Sequence, residues 1–416
     1  MRERPANGQL DRALGLLDAV GIGFGAIVGG GIFVVTGVAA GIAGPAILLA
    51  LALAGAAATA NALSSAQLAA EYPYAGGTYE YGYRVLGPWP GFIAGWMFLA
   101  SKTAAAGTIA IGLAGYLNAL VPVLPPRLLA VGAIAVFAVL NLYGVRRASA
   151  VNLAIVLVSV GALLTFAVTA APAVDASAYT PFAPGGWQAT MRAAALLFFA
   201  YTGYARIATL GEEVREPRRT IPRAVVITIS GALLLYAVVA AVAIGVAGAP
   251  ELARTAAPLY VAAQHAGVAW LPTTVAIGGL AAMFGVVLSQ ILGLSRMCFA
   301  MARRADLPTA LGRVDNGVPR VAVLAVGTAA AAVAATGALD AVISAASFTI
   351  LVYYGIANAA ALAMPRARRW LPRWIPVFGL AACLLLALAL DARTMVTGMI
   401  VLAAGVTLRL VRTRAA

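Results

Sequence analysis

Two segments of the chain decide its fold class: AIVGGGIF at residues 26–33 and FFAYTGYARIATLGEE at residues 198–213. Each segment lies inside a long apolar stretch, and each carries glycine near the middle of that stretch. Because glycine in a helix interior favours a break or a close backbone approach, the two segments predict interrupted helices. The alternative interpretation is that the glycines only allow neighbouring helices to pack closely.

The composition places these helices in a membrane. Of the 416 residues, 63% are hydrophobic and 10% are charged, against about 25% charged residues in an ordinary soluble domain. So few charges cannot cover the surface of a water-soluble fold, and the hydrophobicity excludes a disordered chain. The two cysteines, Cys298 and Cys383, lie in apolar runs, which excludes a secreted disulfide scaffold.

Apolar stretches long enough to cross a bilayer recur along the whole chain. Twelve are predicted, with approximate bounds of 17–40, 45–70, 92–118, 127–144, 149–171, 189–210, 222–247, 271–303, 320–338, 341–364, 374–390 and 394–411. They are called spans 1 to 12 below. The predicted fold is therefore an all-α polytopic membrane protein with about twelve transmembrane helices.

The basic residues orient the chain in the membrane. With both termini in the cytoplasm, 21 arginines fall in cytoplasmic segments and four, Arg127, Arg192, Arg254 and Arg393, fall in external segments. This asymmetry follows the positive-inside rule. It predicts a multi-pass protein of the cytoplasmic (inner) membrane with both termini inside. It also explains the net charge of +14 without a nucleic-acid partner.

The interrupted spans 1 and 6 lie five apart in order, which is typical of an inverted-repeat transporter with its site at the bilayer midplane. Amides at the start of a half-helix favour a carboxylate, and carbonyls at the end of the other half-helix favour an ammonium group. Such a site suits a zwitterion such as an α-amino acid. Aromatic residues beside the second break can cover the ligand; they are Phe198, Phe199, Tyr201 and Tyr204.

Four segments resemble the amino acid–polyamine–organocation (APC) superfamily. They are AIVGGGIF, then YPYAGGTYEYGYRVLGPWPGFIAGW after span 2, FFAYTGYARIATLGEEVREPRRTIPRA at span 6 and SRMCFAMARRADLP at the end of span 8. The resemblance implies secondary transport of amino acids or related amines. It also implies the leucine-transporter fold in one domain, 1–416, with a first repeat at 17–171, an inverted second repeat at 189–364 and two peripheral helices at 374–411.

The resemblance assigns roles to residues of the first break. By position, Ile27, Gly30 and Gly31 would meet the substrate carboxylate, mostly through backbone groups. One departure concerns Gly30, which replaces a serine that is frequent in the family, so that one hydroxyl donor is missing.

At the second break, the resemblance implies that Phe199, Ala200 and Thr202 offer carbonyls to the substrate amine, with Phe199 also acting as an aromatic gate. Ala205 stands where many relatives carry an acid, so coupling through such an acid is disfavoured. Side-chain selectivity is expected from spans 3, 6, 8 and 10. The full set of candidate substrate-binding residues is Ile27, Gly29, Gly30, Gly31, Thr103, Phe199, Ala200, Tyr201, Thr202, Ser289, Ser347 and Tyr353.

Lys102 is the one lysine among 28 basic residues, and it lies about ten residues into span 3, near the bilayer centre. No Asp or Glu falls in the middle of a predicted span, and Arg206 and Arg296 keep their protons in practice. Because a buried lysine gives up its proton more readily than one in water, Lys102 is predicted to carry the coupling proton. The alternatives are a structural lysine or one that snorkels to the surface.

In proton-coupled members of the resembled family, a lysine on span 5 takes the place of a sodium ion, and the matching position here is Ser159. Lys102 on span 3 would replace that lysine if it reached the same cavity. Sodium coupling would use Gly29 and hydroxyls on span 8, where Ser289 is followed by Gln290 and not by a second hydroxyl. Proton coupling at Lys102 and Ser159 is therefore favoured over sodium.

The predicted function is a permease that moves an amino acid by alternating access, with a neutral amino acid favoured because no mid-membrane carboxylate offers itself to a cationic side chain. The alternative is a sodium-independent exchanger or facilitator of amino acids or amines, and a channel or receptor on the same fold stays open. An enzyme is not expected, because His265, Cys298 and Cys383 form no nucleophile–base pair or metal cluster. The expected partners are an amino acid or amine, a proton and the lipid bilayer, with no cofactor and no metal.

Overall fold

The structure is a computed structural model that describes residues 14–72, 76–122, 124–143, 149–208, 214–315 and 318–415. Within these ranges the chain is helical, and β pairing is confined to two isolated bridges. The α-helices are α1 (Leu16–Ile27), α2 (Thr36–Ala43), α3 (Ile47–Glu71), α4 (Thr78–Tyr81), α5 (Pro88–Leu120), α6 (Pro126–Leu142), α7 (Ser149–Ala170), α8 (Gly186–Tyr201), α9 (Ala205–Ala208), α10 (Pro217–Ala247), α11 (Ala249–Ala253), α12 (Pro258–His265), α13 (Leu271–Arg303), α14 (Arg320–Thr336), α15 (Leu339–Ala363), α16 (Trp374–Leu388) and α17 (Ala392–Ala415).

The predicted spans correspond to these helices. Among the described residues, seven helical segments are long and apolar enough to cross a membrane, and one of them, Leu16–Glu71, contains both span 1 and span 2. Three shorter apolar helices, α6, α14 and α16, fall on spans 4, 9 and 11. Span 6 falls on α8 and α9. The prediction of an all-helical, multi-pass architecture is thus confirmed.

Span 1 is broken at the predicted glycines. Helix α1 ends at Ile27, Val28 is extended (φ −72°, ψ 102°), and the chain resumes as a π-helical turn, Gly31–Val35, that leads into α2. A side-chain Cβ at Gly31 would lie 2.5 Å from the Cβ and 2.6 Å from the Cα of Ala200. The glycine therefore lies at the break and is needed for packing against span 6.

Span 6 is broken in the same manner. Helix α8 ends at Tyr201, a 3₁₀ turn covers Thr202–Tyr204, and α9 follows. A Cβ at Gly203 would overlap the backbone carbonyl of Ala26 and lie 2.6 Å from the amide nitrogen of Ile27. The two breaks thus contact each other through backbone atoms, and both interpretations of the glycines hold.

The other long helices surround this contact. Helix α5 packs against α13, α15, α6 and α14, and α3 packs against α8 and α10. Helix α5 has 33 residues, which corresponds to about 50 Å. Helix α16 packs against α15 and α3 at one side, and α17 packs against α15 and α5. Large apolar side chains of α16 and α17 are exposed, as expected of helices that face lipid.

Candidate functional site

A cavity of about 340 Å³ lies where the two breaks meet. Residues from both breaks line it, together with one face each of α5, α13 and α15. The segment between α3 and α5 completes the wall with Gly76, Gly77, Thr78 and Tyr81. This segment, residues 76–86, is called the wall segment below. The cavity is therefore built from parts of the chain that are far apart in sequence.

Most of the predicted site residues lie in the wall of this cavity. They are Ile27, Gly29, Gly30, Gly31, Lys102, Phe199, Ala200, Thr202, Ser289 and Tyr353. These residues come from spans 1, 3, 6, 8 and 10. The sequence placed them together by resemblance and by depth in the membrane, and the fold gives them one common cavity.

Four predicted residues lie outside the cavity lining: Thr103, Ser159, Tyr201 and Ser347. Tyr201 is fully buried, and its hydroxyl donates to a main-chain carbonyl of α3 at 3.4 Å. The hydroxyl of Ser159 donates to the carbonyl one turn earlier in α7, at 2.7 Å. Ser347 is fully buried, without a hydrogen-bond partner among the described residues. Thr103 follows Lys102 by one residue and points about 100° away from it.

Lys102 is tied to the break of span 6. Its Nζ lies 3.2 Å from Oγ1 of Thr202, and the Thr202 hydroxyl donates to the carbonyl oxygen of Phe199 at 2.9 Å. Because that hydroxyl proton is used on Phe199, Nζ is the donor to Thr202. The hydroxyl of Tyr354 approaches the Thr202 carbonyl at 3.4 Å. Lys102 therefore ends at the broken helix beside the cavity and does not snorkel to the surface.

The main-chain amides and carbonyls at the two breaks differ in how many hydrogen bonds they already make within the protein. The first amides of a helix lack intrahelical acceptors, and the π-helical turn that begins at Gly31 places its start in the cavity wall. The carbonyl of Ile27 accepts from the Tyr236 hydroxyl at 2.8 Å. The carbonyl of Phe199 accepts from both the hydroxyl and the amide of Thr202. The amides of the first break are thus better placed for a ligand than the Ile27 or Phe199 carbonyls.

Several residues of the wall were not predicted as site residues, although helical spacing points to them. Phe98 and Ile109 lie four residues before and seven residues after Lys102, on the same face of α5, and both line the cavity. On α13, Arg296 lies seven residues after Ser289, and it lines the cavity as well. Drawing each span as a helical wheel around its predicted residue would have found all three.

Positive charge dominates the wall. Among the described residues that line the cavity, the charged side chains are Lys102 and Arg296. No Asp or Glu is part of that described lining. The side chain of Arg206 lies outside the described part of the structure. A substrate with an additional positive charge would meet repulsion in this cavity.

A multi-pass helical protein with a central cavity at two helix breaks has the architecture of a membrane transporter. Comparison with known sequences makes the assignment specific. The chain belongs to the amino acid permease family, whose model matches residues 14–407. The resemblance inferred from the four sequence segments is thereby confirmed.

Similar proteins support the same family. An uncharacterized transporter of Mycobacterium tuberculosis (strain ATCC 25618 / H37Rv) is 44% identical over 405 residues, which covers 96% of this chain and 90% of that protein. The branched-chain amino acid permease BcaP of Bacillus subtilis (strain 168) is 30% identical over 417 residues, 93% of this chain and 90% of the permease. A crystal structure of a mutant of the manganese transporter from Eremococcus coleocola matches with a TM-score of 0.62 and 14% identity, covering 98% of this chain and 97% of that one. At that identity the likeness supports the fold alone, and the fold fits the predicted superfamily.

Proposed function

We propose that the protein is a secondary transporter that moves a neutral amino acid across the cytoplasmic membrane by alternating access, coupled to protons through Lys102. The observation that carries this proposal is the hydrogen bond from Lys102 to Thr202, at 3.2 Å, between span 3 and the break of span 6. Both termini are cytoplasmic in this proposal, in keeping with the positive-inside rule. The halves 17–171 and 189–364 are proposed as inverted repeats, with 374–411 outside them.

The proposed substrate follows from the groups around the cavity. A carboxylate would bind the amides of Gly29 to Gly31, where a helix begins. Lys102 and Arg296 disfavour a cationic side chain, since no acid of the described lining balances them. The name of the Bacillus subtilis relative, a branched-chain amino acid permease, is consistent with a neutral substrate.

The proposed coupling step uses the donor role of Lys102. A protonated Lys102 makes a charge-assisted hydrogen bond to Thr202, roughly twice as strong as the bond that a neutral amine would make. Loss of the proton therefore loosens the hold of α5 on the break of span 6. Ser159, which matches the lysine position of proton-coupled relatives, hydrogen-bonds within its own helix, and the proton role is therefore given to Lys102.

Uptake into proteoliposomes tests this proposal directly. The purified protein should accumulate a labelled neutral amino acid in a saturable manner and show counterflow, and an acidic exterior should accelerate uptake. Sodium should have no effect. Thermal stabilisation by each of the twenty amino acids and by common amines, measured in parallel, identifies the substrate. Stabilisation by cationic amino acids alone would contradict the proposed substrate class.

We expect Phe199→Ala and Phe198→Ala to have different effects. Phe199 lines the cavity, so its loss should weaken substrate affinity and transport. Because Phe199 is also buried, its replacement should lower stability as well. Phe198 is fully buried, with its ring centroid 5.7 Å from that of Tyr354 in an edge-on arrangement. Its replacement should lower stability by about 3–5 kcal/mol. Thermal unfolding and substrate titration of both variants separate these effects, and equal losses of affinity would move the substrate away from Phe199.

A further inference from the structure

A buried ion pair lies beside the wall segment. Arg409, near the end of α17, contacts Asp306, which follows α13, with 3.0 Å between Nη1 and Oδ1. The two side chains are 10% and 7% exposed. A second ion pair that follows α13, between Arg320 and Asp315 at 2.9 Å, is 50% and 59% exposed. Arg409 is thus largely removed from water.

The wall segment contributes two tyrosine hydroxyls to this pair. Tyr79 and Tyr83 both donate to Oδ2 of Asp306, at 2.8 and 2.5 Å. The guanidinium of Arg409 in turn donates to the Tyr83 hydroxyl at 2.9 Å. Burial and the hydrogen bond to Asp306 raise the pKa of Tyr83 to about 12, so the phenol keeps the proton it donates. Hydrogen bonds of this kind offset part of the cost of burying a charge.

Aromatic rings close the pair off from water. The Cζ atom of Arg409 lies 5.0 Å from the ring centroid of Trp89 and 4.8 Å from that of Phe92. Both rings belong to the first turns of α5, directly after the wall segment. Cation–π contacts of this kind strengthen when they are desolvated. Helix α17 is therefore joined through one side chain to the wall segment, to α5 and to the end of α13.

The wall segment presents two faces with different tasks. Tyr79 and Tyr83, four residues apart, face the buried ion pair, and Thr78 and Tyr81, three residues apart, line the cavity. The amide of Thr78 also donates to the Tyr353 hydroxyl, which belongs to the cavity wall, at 3.3 Å. A shift of the face that contacts the ion pair therefore also moves the face that lines the cavity, because both faces belong to one short stretch of chain, residues 78–83.

We propose that Arg409 and Asp306 are positioning residues for the cavity: through Tyr79 and Tyr83 they hold the wall segment against the substrate site. Helix α17, expected to be peripheral, thereby takes part in shaping the site without touching substrate. The proposal depends on the proposed transport function only in the experiments that measure transport. The position of the wall segment is a separate property that is measured without substrate.

A single thiol in the wall segment tests the proposal. The native Cys298 and Cys383 are buried, so Thr78→Cys supplies the reporter, and reaction with a membrane-impermeant maleimide is followed in the purified full-length protein. We expect Arg409→Gln and Asp306→Asn each to raise the reaction rate about tenfold, as the loss of a hydrogen bond to a charged group allows. The reaction rate of Arg409→Lys should lie between those of Arg409→Gln and the parent protein, because lysine keeps the charge but lacks the planar guanidinium group.

Arg320→Gln is the matched control, since it breaks an exposed pair of the same kind and should leave the thiol rate unchanged. Tyr83→Phe removes a hydroxyl without removing a charge, and it replaces the charge variants if these do not fold. It should also raise the reaction rate of the thiol. In transport assays, Arg409→Gln should raise the substrate KM more than it lowers the maximal rate. An unchanged thiol rate in every foldable variant, or an equal rise with Arg320→Gln, overturns the proposal. A parent protein that transports no amino acid would contradict only the proposed function.

Discussion

Replacing Lys102 by alanine is expected to abolish the acceleration of uptake by an inward proton gradient. Substrate-for-substrate exchange should persist in this variant, because exchange does not require the proton to complete a circuit. Uptake into proteoliposomes with and without an acidic exterior measures the first quantity, and counterflow measures the second. Lys102→Arg should fail in the same assay, since a guanidinium keeps its proton at every step.

Thr202→Val provides the matched variant for this experiment. It removes the hydroxyl that accepts from Lys102, at 3.2 Å, and leaves the lysine in place. Because the lysine can still titrate, we expect the acceleration of uptake by the proton gradient to be reduced but not lost. The result should lie between those of the wild type and Lys102→Ala. Full gradient-driven uptake by Lys102→Ala would make the lysine structural. A wild-type protein that ignores pH and follows Na⁺ would place the coupling ion elsewhere.

Gly31→Ala should lower both the stability of the protein and its transport rate. The added Cβ would lie 2.6 Å from the Cα of Ala200, a backbone atom that no rotamer change can move away. Overpacking of this kind destabilises by about 1–3 kcal/mol. Because the contact joins the two broken spans, transport should fall further than the loss of stability alone would predict. The measurements are the thermal unfolding midpoint in detergent and the exchange rate in proteoliposomes.

Gly293→Ala is the control for that substitution. Gly293 also lines the cavity, but a Cβ there would meet no heavy atom within 4 Å. In a helix interior, alanine is more favourable than glycine by up to about 1 kcal/mol, so this variant should be as stable as the wild type or more so. If both variants behave alike, the effect at Gly31 comes from filling the cavity and not from the contact between the spans.

The spans and their breaks could be predicted because each depends on local properties of the sequence. Apolar length gives a membrane helix, and the glycines at 29–31 and 203 mark the positions where a helix is interrupted. Lys102 could be assigned to the middle of span 3 for the same reason. Its contact with Thr202 at 3.2 Å could not be predicted, since it depends on how α5 packs against span 6.

The wall segment and its anchors could not be predicted in this way either. Gly77 and Thr78 were quoted as part of a family motif, but their place in the cavity wall depends on the distant Tyr353. Tyr201 was assigned to the site as one of the aromatic residues beside the second break. Tyr201 is the last residue of α8, and its side chain packs against Tyr236 instead, with 5.5 Å between ring centroids.

The contact between the two breaks has a consequence for how the molecule moves. Gly31 meets Ala200 and Gly203 meets Ala26 through atoms that have no rotational freedom of their own. We therefore expect α1 and α9 to move together, because a displacement of one without the other would make these backbone atoms overlap. Positions that lie far apart in the sequence are thus coupled by direct contacts that involve no flexible side chain. A substitution in the opposite span could not make room for a larger residue at either glycine, because that residue would meet backbone atoms.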